Sequence, residues 1–347
     1  MKNLVHGGDI YSYSEKMLDF SANINPLGMP EKIKQTIIDN IDTYDCYPDP
    51  LNRELTNELS KFHNIGEQHI VCGNGAADLI FRIVIAEKPQ KALILSPTFA
   101  EYELALKQFN CEVDHHLMIE KEDFSYNRSF LNAIDKSYDI IFICNPNNPT
   151  GLPIKKELIL EIIEKCEKFN ITLVIDECFC DFIDKENLYS IIPEMPRLKN
   201  IIVLKAFTKM YAMAGIRLGY ALCSNVEMKE RIHGTLQPWA VSTVASKCGI
   251  AALNADDFIH KTTQYVTKNR KFLIDELTSL GFKTYNSETN YVFFKAYSGL
   301  VDALKKYNIL IRSCSNYISL NDNYYRVAVR NMEDNIKLIE AIKLCKN

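Results

Sequence analysis

The stretch VLKAFTKMYAMAGIRLGY, residues 203–220, sets a single ammonium, Lys209, between a β-type run and a turn. The Thr208 hydroxyl comes one residue before it and the Arg217 guanidinium eight residues after. A lysine amine freed of its proton is a nucleophile toward carbonyl carbon. Three other stretches carry chemistry that could serve it. VCGNGAADLIF reads as a strand, a glycine turn at Gly73 and Gly75, and a helix from about Ala76, whose free N–H groups can hold a phosphate. CNPNNPTG, 144–151, has two Asn-Pro steps that make a rigid turn and aim Asn148 at the mouth of a sheet. VIDECF ends an apolar run on Asp176, where an unpaired carboxylate would be costly, so a cationic partner is expected. Taken singly, each has a plainer reading as a strand-to-helix turn, a structural turn, or an N-cap or ion pair.

These residues need a frame that brings strand ends together, and the sequence supplies one. Between residues 70 and 223 the runs HIVC, KALILS, DIIFICNP, ITLVIDE, NIIVLKAF and RLGYALCS are rich in Ile, Val and Leu without polar alternation, as strands covered on both faces are. KKELILEIIEKCEKFN between two of them places Leu158, Ile162, Cys166 and Phe169 on one helical stripe. The pattern predicts an α/β unit with a mainly parallel sheet, in which ligands bind at the carboxyl ends of the strands. After about residue 236 a long helical stretch stops at Gly281. The runs TNYVFFKA, ILIRSC and YYRVAVR then alternate with two helices, as in a small α+β domain. The expected division is an extended arm over 1–30, a large domain over 31–235 and a small C-terminal domain over 236–347.

Composition narrows the function. The 347 residues carry a net charge of −4, so no basic field suits nucleic acid or an anionic membrane, and an anionic ligand must be held by local arginines and backbone amides. Eleven scattered cysteines read as reduced thiols, and neither Cys178/Cys180 nor His115/His116 has a second pair spaced for tetrahedral metal binding, so no metal is expected. With no apolar signal segment or membrane-length run, a cytoplasmic protein is expected.

In order along the chain, the glycine turn, the Asn-Pro-Thr-Gly turn, the strand-end Asp176 and the Thr-Lys followed by Arg-Leu-Gly-Tyr resemble the fold type I pyridoxal-phosphate enzymes of the aminotransferase superfamily. The resemblance implies a large domain with a mainly parallel seven-stranded sheet, a small α+β domain, and pyridoxal 5′-phosphate as cofactor. It also implies roles. Lys209 would bind the cofactor aldehyde covalently, and Asp176 would keep its ring nitrogen protonated so that the ring can draw electrons from the substrate Cα. Asn148 would donate to the ring hydroxyl, while Thr208, Arg217 and the amides of Ala76 and Ala77 would cradle the phosphate. Phe99 or Tyr102 would stack on the ring. Tyr47 in CYPDP would reach a phosphate across a dimer interface, so a homodimer with shared sites is implied.

Further pieces, HGGDIY, LDFSANINPLGMP, FAEY, DECFCDF and ILIRSCSNY with YYRVAVR, are similar to the branch of that superfamily that decarboxylates threonine phosphate in cobalamin biosynthesis. Histidinol-phosphate aminotransferases are near relatives, and many carry Tyr where this chain has Phe179, which cannot donate to the ring oxygen. By this resemblance Arg312 and Arg326 would bind the substrate phosphate and carboxylate, joined by Asn148, with His6, Gly7, Gly8 and Asn25 closing from the arm. Arg330 is either a further ligand or structural. Phosphoserine, one methyl group smaller, is an alternative substrate, and transamination an alternative reaction. A cofactor-sensing protein is a third reading, but the arm is too short for a helix-turn-helix.

Overall fold

The computed structural model describes residues 6–184, 188–255 and 257–346. Seven strands form the central sheet: β2 (Ile70–Gly73), β3 (Lys91–Ser96), β4 (Glu112–Leu117), β5 (Ile140–Cys144), β6 (Thr172–Asp176), β7 (Ile201–Ala206) and β8 (Gly219–Cys223). The preceding strand, β1 (Leu18–Asp19), lies outside it. Sheet order is β2-β8-β7-β6-β5-β3-β4, and only β8 runs against its neighbours. Alternate residues of one strand feed two different cores: Leu173 and Ile175 of β6 point to one face, and Val174 to the other. That is why these runs lack polar alternation. β4 is a strand that the hydrophobic pattern did not reveal, since its residues Glu112 to Leu117 sit half-exposed at the sheet edge. The helix Lys156–Phe169 buries Ile159, Ile162, Ile163 and Cys166, a face rotated slightly from the expected stripe.

The C-terminal region builds a four-stranded antiparallel sheet, in order β12-β13-β10-β9, from β9 (Lys283–Thr284), β10 (Tyr291–Lys295), β12 (Arg312–Ser313) and β13 (Tyr324–Ala328). The run ILIRSC breaks in two. Its first half, β11 (Ile309–Leu310), pairs in parallel with β1 from the arm, and its second half is β12. The arm is thereby held by backbone bonds: the Phe20 N–H donates to Leu310 O at 2.8 Å and the Ala328 N–H to Phe20 O at 2.8 Å. Residues 21–23 are carried to the centre of the molecule as a result. The long helix Phe258–Ser279 ends before Gly281, whose φ is +81°. Among the described residues all eleven cysteines are free, no helix is long and apolar enough to cross a membrane, and no group of three or more potential ligands could hold a metal.

Candidate active site

Parallel strands place their carboxyl ends on one edge, and the register aligns Cys144 of β5 with Asp176 of β6, and Asp176 with Leu204 of β7. The residues following these strands therefore meet. Because β8 is antiparallel, its first residue, Gly219, lies at the same edge opposite Ala206 and Gly73, and brings Arg217 with it. A cavity of ≈ 430 Å³ opens there. Its wall includes Ala76, Ala77, Phe99, Asn148, Asp176, Phe179, Thr208, Lys209 and Arg217 from the central sheet edge, Arg312 and Arg326 from the small sheet, and His6 and Gly7 from the arm.

Each side chain has a local reason for its place. In the Asn-Pro turn, Asn145 accepts from the Ile154 N–H at 2.8 Å and donates to Tyr189 O at 3.0 Å, while Asn147 donates to Pro97 O at 2.9 Å. Those two asparagines fix the turn and leave Asn148 to the cavity. Asp176 is 6% exposed; its Oδ2 accepts from the Tyr102 hydroxyl at 2.6 Å and its Oδ1 from the Cys178 N–H at 3.0 Å. Both oxygens keep a lone pair for a further partner. Lys209 faces the Phe179 ring, with Nζ 5.7 Å from its centroid. Its pKa is pulled from the ordinary 10.5 to about 8, first by loss of hydration and then by the Arg326 guanidinium, so a sizeable neutral fraction exists near pH 8. No counter-ion neutralises it at hydrogen-bond range among the contacts of the described residues, a state suited to a nucleophilic amine.

The opposite end of the cavity is an anion cradle. Gly75, at φ +88°, leads into the helix Ala76–Glu87, and a Cβ on it would lie 2.6 Å from Arg217 Nη2. A Cβ on Gly219 would lie 2.6 Å from the Ala76 nitrogen. Both glycines are required by this close approach of guanidinium and helix N-terminus. Free amides, a hydroxyl and a guanidinium at one end, and an amine, a carboxylate and a carboxamide at the other, fit a phosphorylated pyridine aldehyde.

Several expected residues stand elsewhere. Tyr102 is not part of the cavity wall: it is fully buried, stacked on Phe142 at 5.2 Å, and spends its hydroxyl on Asp176, so of the two aromatics only Phe99 can meet a ring. Burial, and then the Asp176 carboxylate, hold the Tyr102 hydroxyl well above its usual pKa, so it remains a donor. Asn25 is also outside the wall; its amide donates to Met210 O at 2.6 Å and Thr262 Oγ1 at 2.9 Å, and its oxygen accepts from the Leu27 N–H at 2.9 Å. Asn25→Ala should therefore cost about 1–3 kcal/mol of stability, read by urea unfolding, with substrate KM unchanged. Gly8 is tied to Ser21 Oγ at 2.6 Å and does not line the cavity. Arg330 is structural, donating to Asp334 at 2.9 Å and Asp19 O at 3.0 Å. Tyr47 lies 80% exposed and stacks on Trp239 at 4.5 Å, away from the cavity of its own chain.

The cavity also holds residues the motif reading passed over. Asn23 lines it with its Oδ1 buried and unpartnered among the described residues, as is Nε of Arg326. Both residues line the cavity, although these two atoms themselves are shielded. Glu101 Oε1 accepts from His6 Nε2 at 2.6 Å, so the arm histidine is held at the rim. Tyr317 completes the wall next to Asn148. Asn23 and Tyr317 both lie in stretches that carry the resemblance, LDFSANINPLGMP and ILIRSCSNY, but no residue-type or spacing signal singles either of them out there.

Residues 15–342 match the family described as aminotransferase class I and II. The chain is 35% identical to a threonine-phosphate decarboxylase of Salmonella typhimurium, over 98% of this chain and 96% of that protein. It is 31% identical to an adenosylcobalamin biosynthesis bifunctional protein of Leptospira interrogans, over 97% of this chain and 40% of that longer protein. The crystal structure of a histidinol-phosphate aminotransferase from Clostridium acetobutylicum superimposes with a TM-score of 0.89 at 32% identity, covering 95% of this chain and 99% of that one. With the fold, the cavity and a match spanning nearly its whole length in agreement, the chain belongs to the aminotransferase class I and II family.

Proposed function

We propose that the chain is a pyridoxal-phosphate enzyme that decarboxylates L-threonine O-3-phosphate to (R)-1-amino-2-propanol O-2-phosphate, a building block for the cobalamin nucleotide loop. The observation that carries this reading is the meeting, in one cavity, of a charge-depressed Lys209, a hydrogen-bonded Asp176 and two small-sheet arginines, Arg312 and Arg326. Similarity to a threonine-phosphate decarboxylase over nearly the whole of both chains adds to it.

When bound, pyridoxal phosphate supplies an electron-accepting ring that lets a bond at the substrate Cα break. The residues around it do the rest. Ala76, Ala77, Thr208 and Arg217 hold its phosphate, and Phe99 covers one ring face. Asp176, kept in place by Tyr102 and the Cys178 N–H, would serve the ring nitrogen as its carboxylate partner and keep a proton there. Lys209, whose buried amine is readily neutral, would hold the cofactor aldehyde and would be the residue placed to carry a proton to the substrate Cα. Arg312 and Arg326 would grip the substrate's two anionic groups, and that grip would decide which bond at Cα is presented for cleavage, here the one to the carboxylate. Phe179, in place of a hydroxyl-bearing side chain, favours decarboxylation over the transamination of the aminotransferase relatives.

The functional unit is a homodimer in the cytoplasm, in which Tyr47 reaches the cofactor phosphate of a second copy. Its exposure and its rigid stack on Trp239 support that role. His6 and Gly7 close the substrate end, and the chain divides into an arm (1–30), a large unit (31–235) and a small unit (236–347).

Arg326→Lys removes the planar fork but not the charge. The substrate KM should rise about 100-fold while cofactor binding stays near wild type, measured by initial rates and by fluorescence titration. The reading as a whole is tested with threonine phosphate, phosphoserine and histidinol phosphate, each with and without 2-oxoglutarate. Carbon dioxide release from threonine phosphate in the absence of the keto acid is expected; release only of a keto product, and only with 2-oxoglutarate, would make the chain an aminotransferase.

A further inference from the structure

Asn148 sits at the crossing of three side chains. Its Oδ1 accepts from Arg326 Nη1, and also from the Tyr317 hydroxyl at 3.3 Å. A carboxamide oxygen has two lone pairs, so both are spent, and the two N–H bonds of the amide are left for the cavity. The Tyr317 ring has a second task. The Arg312 guanidinium carbon lies 5.5 Å from its centroid, while Arg312 also donates to Ser313 O at 2.7 Å and Asn316 Oδ1 at 2.7 Å. Tyr317 is 9% exposed, and its loop joins β12, which carries Arg312, to β13, which carries Arg326. One side chain thus touches a residue facing the cofactor and a residue facing the substrate.

We infer that Tyr317 is a positioning residue: its hydroxyl locks the Asn148 amide with the NH2 group toward the cofactor ring, and its ring holds the Arg312 guanidinium toward the substrate. With Phe179 in place of a phenol, the Asn148 NH2 would be the donor for the cofactor's ring oxygen, and Tyr317, together with Arg326 Nη1, sets its orientation from behind. Loss of hydration holds the Tyr317 hydroxyl protonated, which keeps it a donor.

This inference rests on the proposed pyridoxal-phosphate reading, and two variants separate its two halves. In Tyr317→Phe, the ring stays and the hydroxyl goes. The visible absorption bands of the cofactor-loaded enzyme should change in ratio at fixed pH, and kcat should fall about three- to tenfold with substrate KM within about twofold. In Tyr317→Ala, KM should rise about tenfold in addition. A residue that only supported the fold would not give this split. If Tyr317→Phe keeps the wild-type spectrum and kcat, the role assigned to Tyr317 is wrong while the cofactor reading stands. If the wild-type protein takes up no pyridoxal phosphate, both fall.

Discussion

Replacing Lys209 by Met abolishes turnover, by at least about 10⁴-fold, and makes the cofactor-free protein more stable at pH 7. The two effects share one cause. Loss of hydration, with Arg326 and Arg217 nearby, pulls the lysine's pKa to about 8 from 10.5, which means that the folded protein disfavours the ammonium. Below about pH 8 the amine is charged in both the folded and unfolded chain, and the fold bears the full penalty, on the order of 2 kcal/mol after allowance for its partial opening to the cavity. Between about pH 8 and 10.5 the unfolded chain binds a proton that the folded one does not, so stability rises with pH across that window. The advantage of the Met variant should be complete below pH 8 and shrink toward pH 10.5. Urea unfolding at pH 7, 9 and 10 reads the trend; a wild-type protein that is the more stable at pH 7 would show the ammonium to be neutralised in the fold.

Asp176→Asn should lower kcat about 10³-fold with the fold intact. A neutral amide cannot hold a proton on a ring nitrogen, and one of its two ends would present N–H to a hydroxyl or an N–H donor that now finds an acceptor. Tyr102→Phe probes the same carboxylate from behind and removes only one donor, so its loss in kcat should be nearer tenfold. Comparing kcat of the two variants with circular dichroism as a control on folding checks the order. Equal losses would mean that Asp176 acts only through Tyr102.

The sheet's inner strands were plain in the sequence because both their faces are buried, so β5, β6, β7 and β8 run apolar or small until the functional end, apart from Tyr220 and from Lys205, which pairs with Asp181. That same constraint made Asp176 conspicuous: a carboxylate closing a run of Leu, Val and Ile. β4 was hidden for the opposite reason, since an edge strand reading EVDHHL carries no continuous apolar run. Asn148 was legible from turn chemistry, and Lys209 and Arg217 from the order of motifs that carries the resemblance. Asn25 stands outside the wall because the sequence cannot tell which of two nearby asparagines finds partners inside the protein, and Tyr102 because its hydroxyl turns inward to Asp176. Asn25 meets Met210 and Thr262, whereas Asn23, two residues earlier, lines the cavity. Tyr317 lies in a polar loop, and its meaning came only from its contacts with Asn148 and Arg312.

The amine that carries the cofactor is the centre of the account. Incubation with pyridoxal phosphate, reduction with borohydride and peptide mass spectrometry should place a single pyridoxyl adduct on Lys209, in the segment that ends MAGIRLGY. An adduct on another lysine, or none, would contradict it.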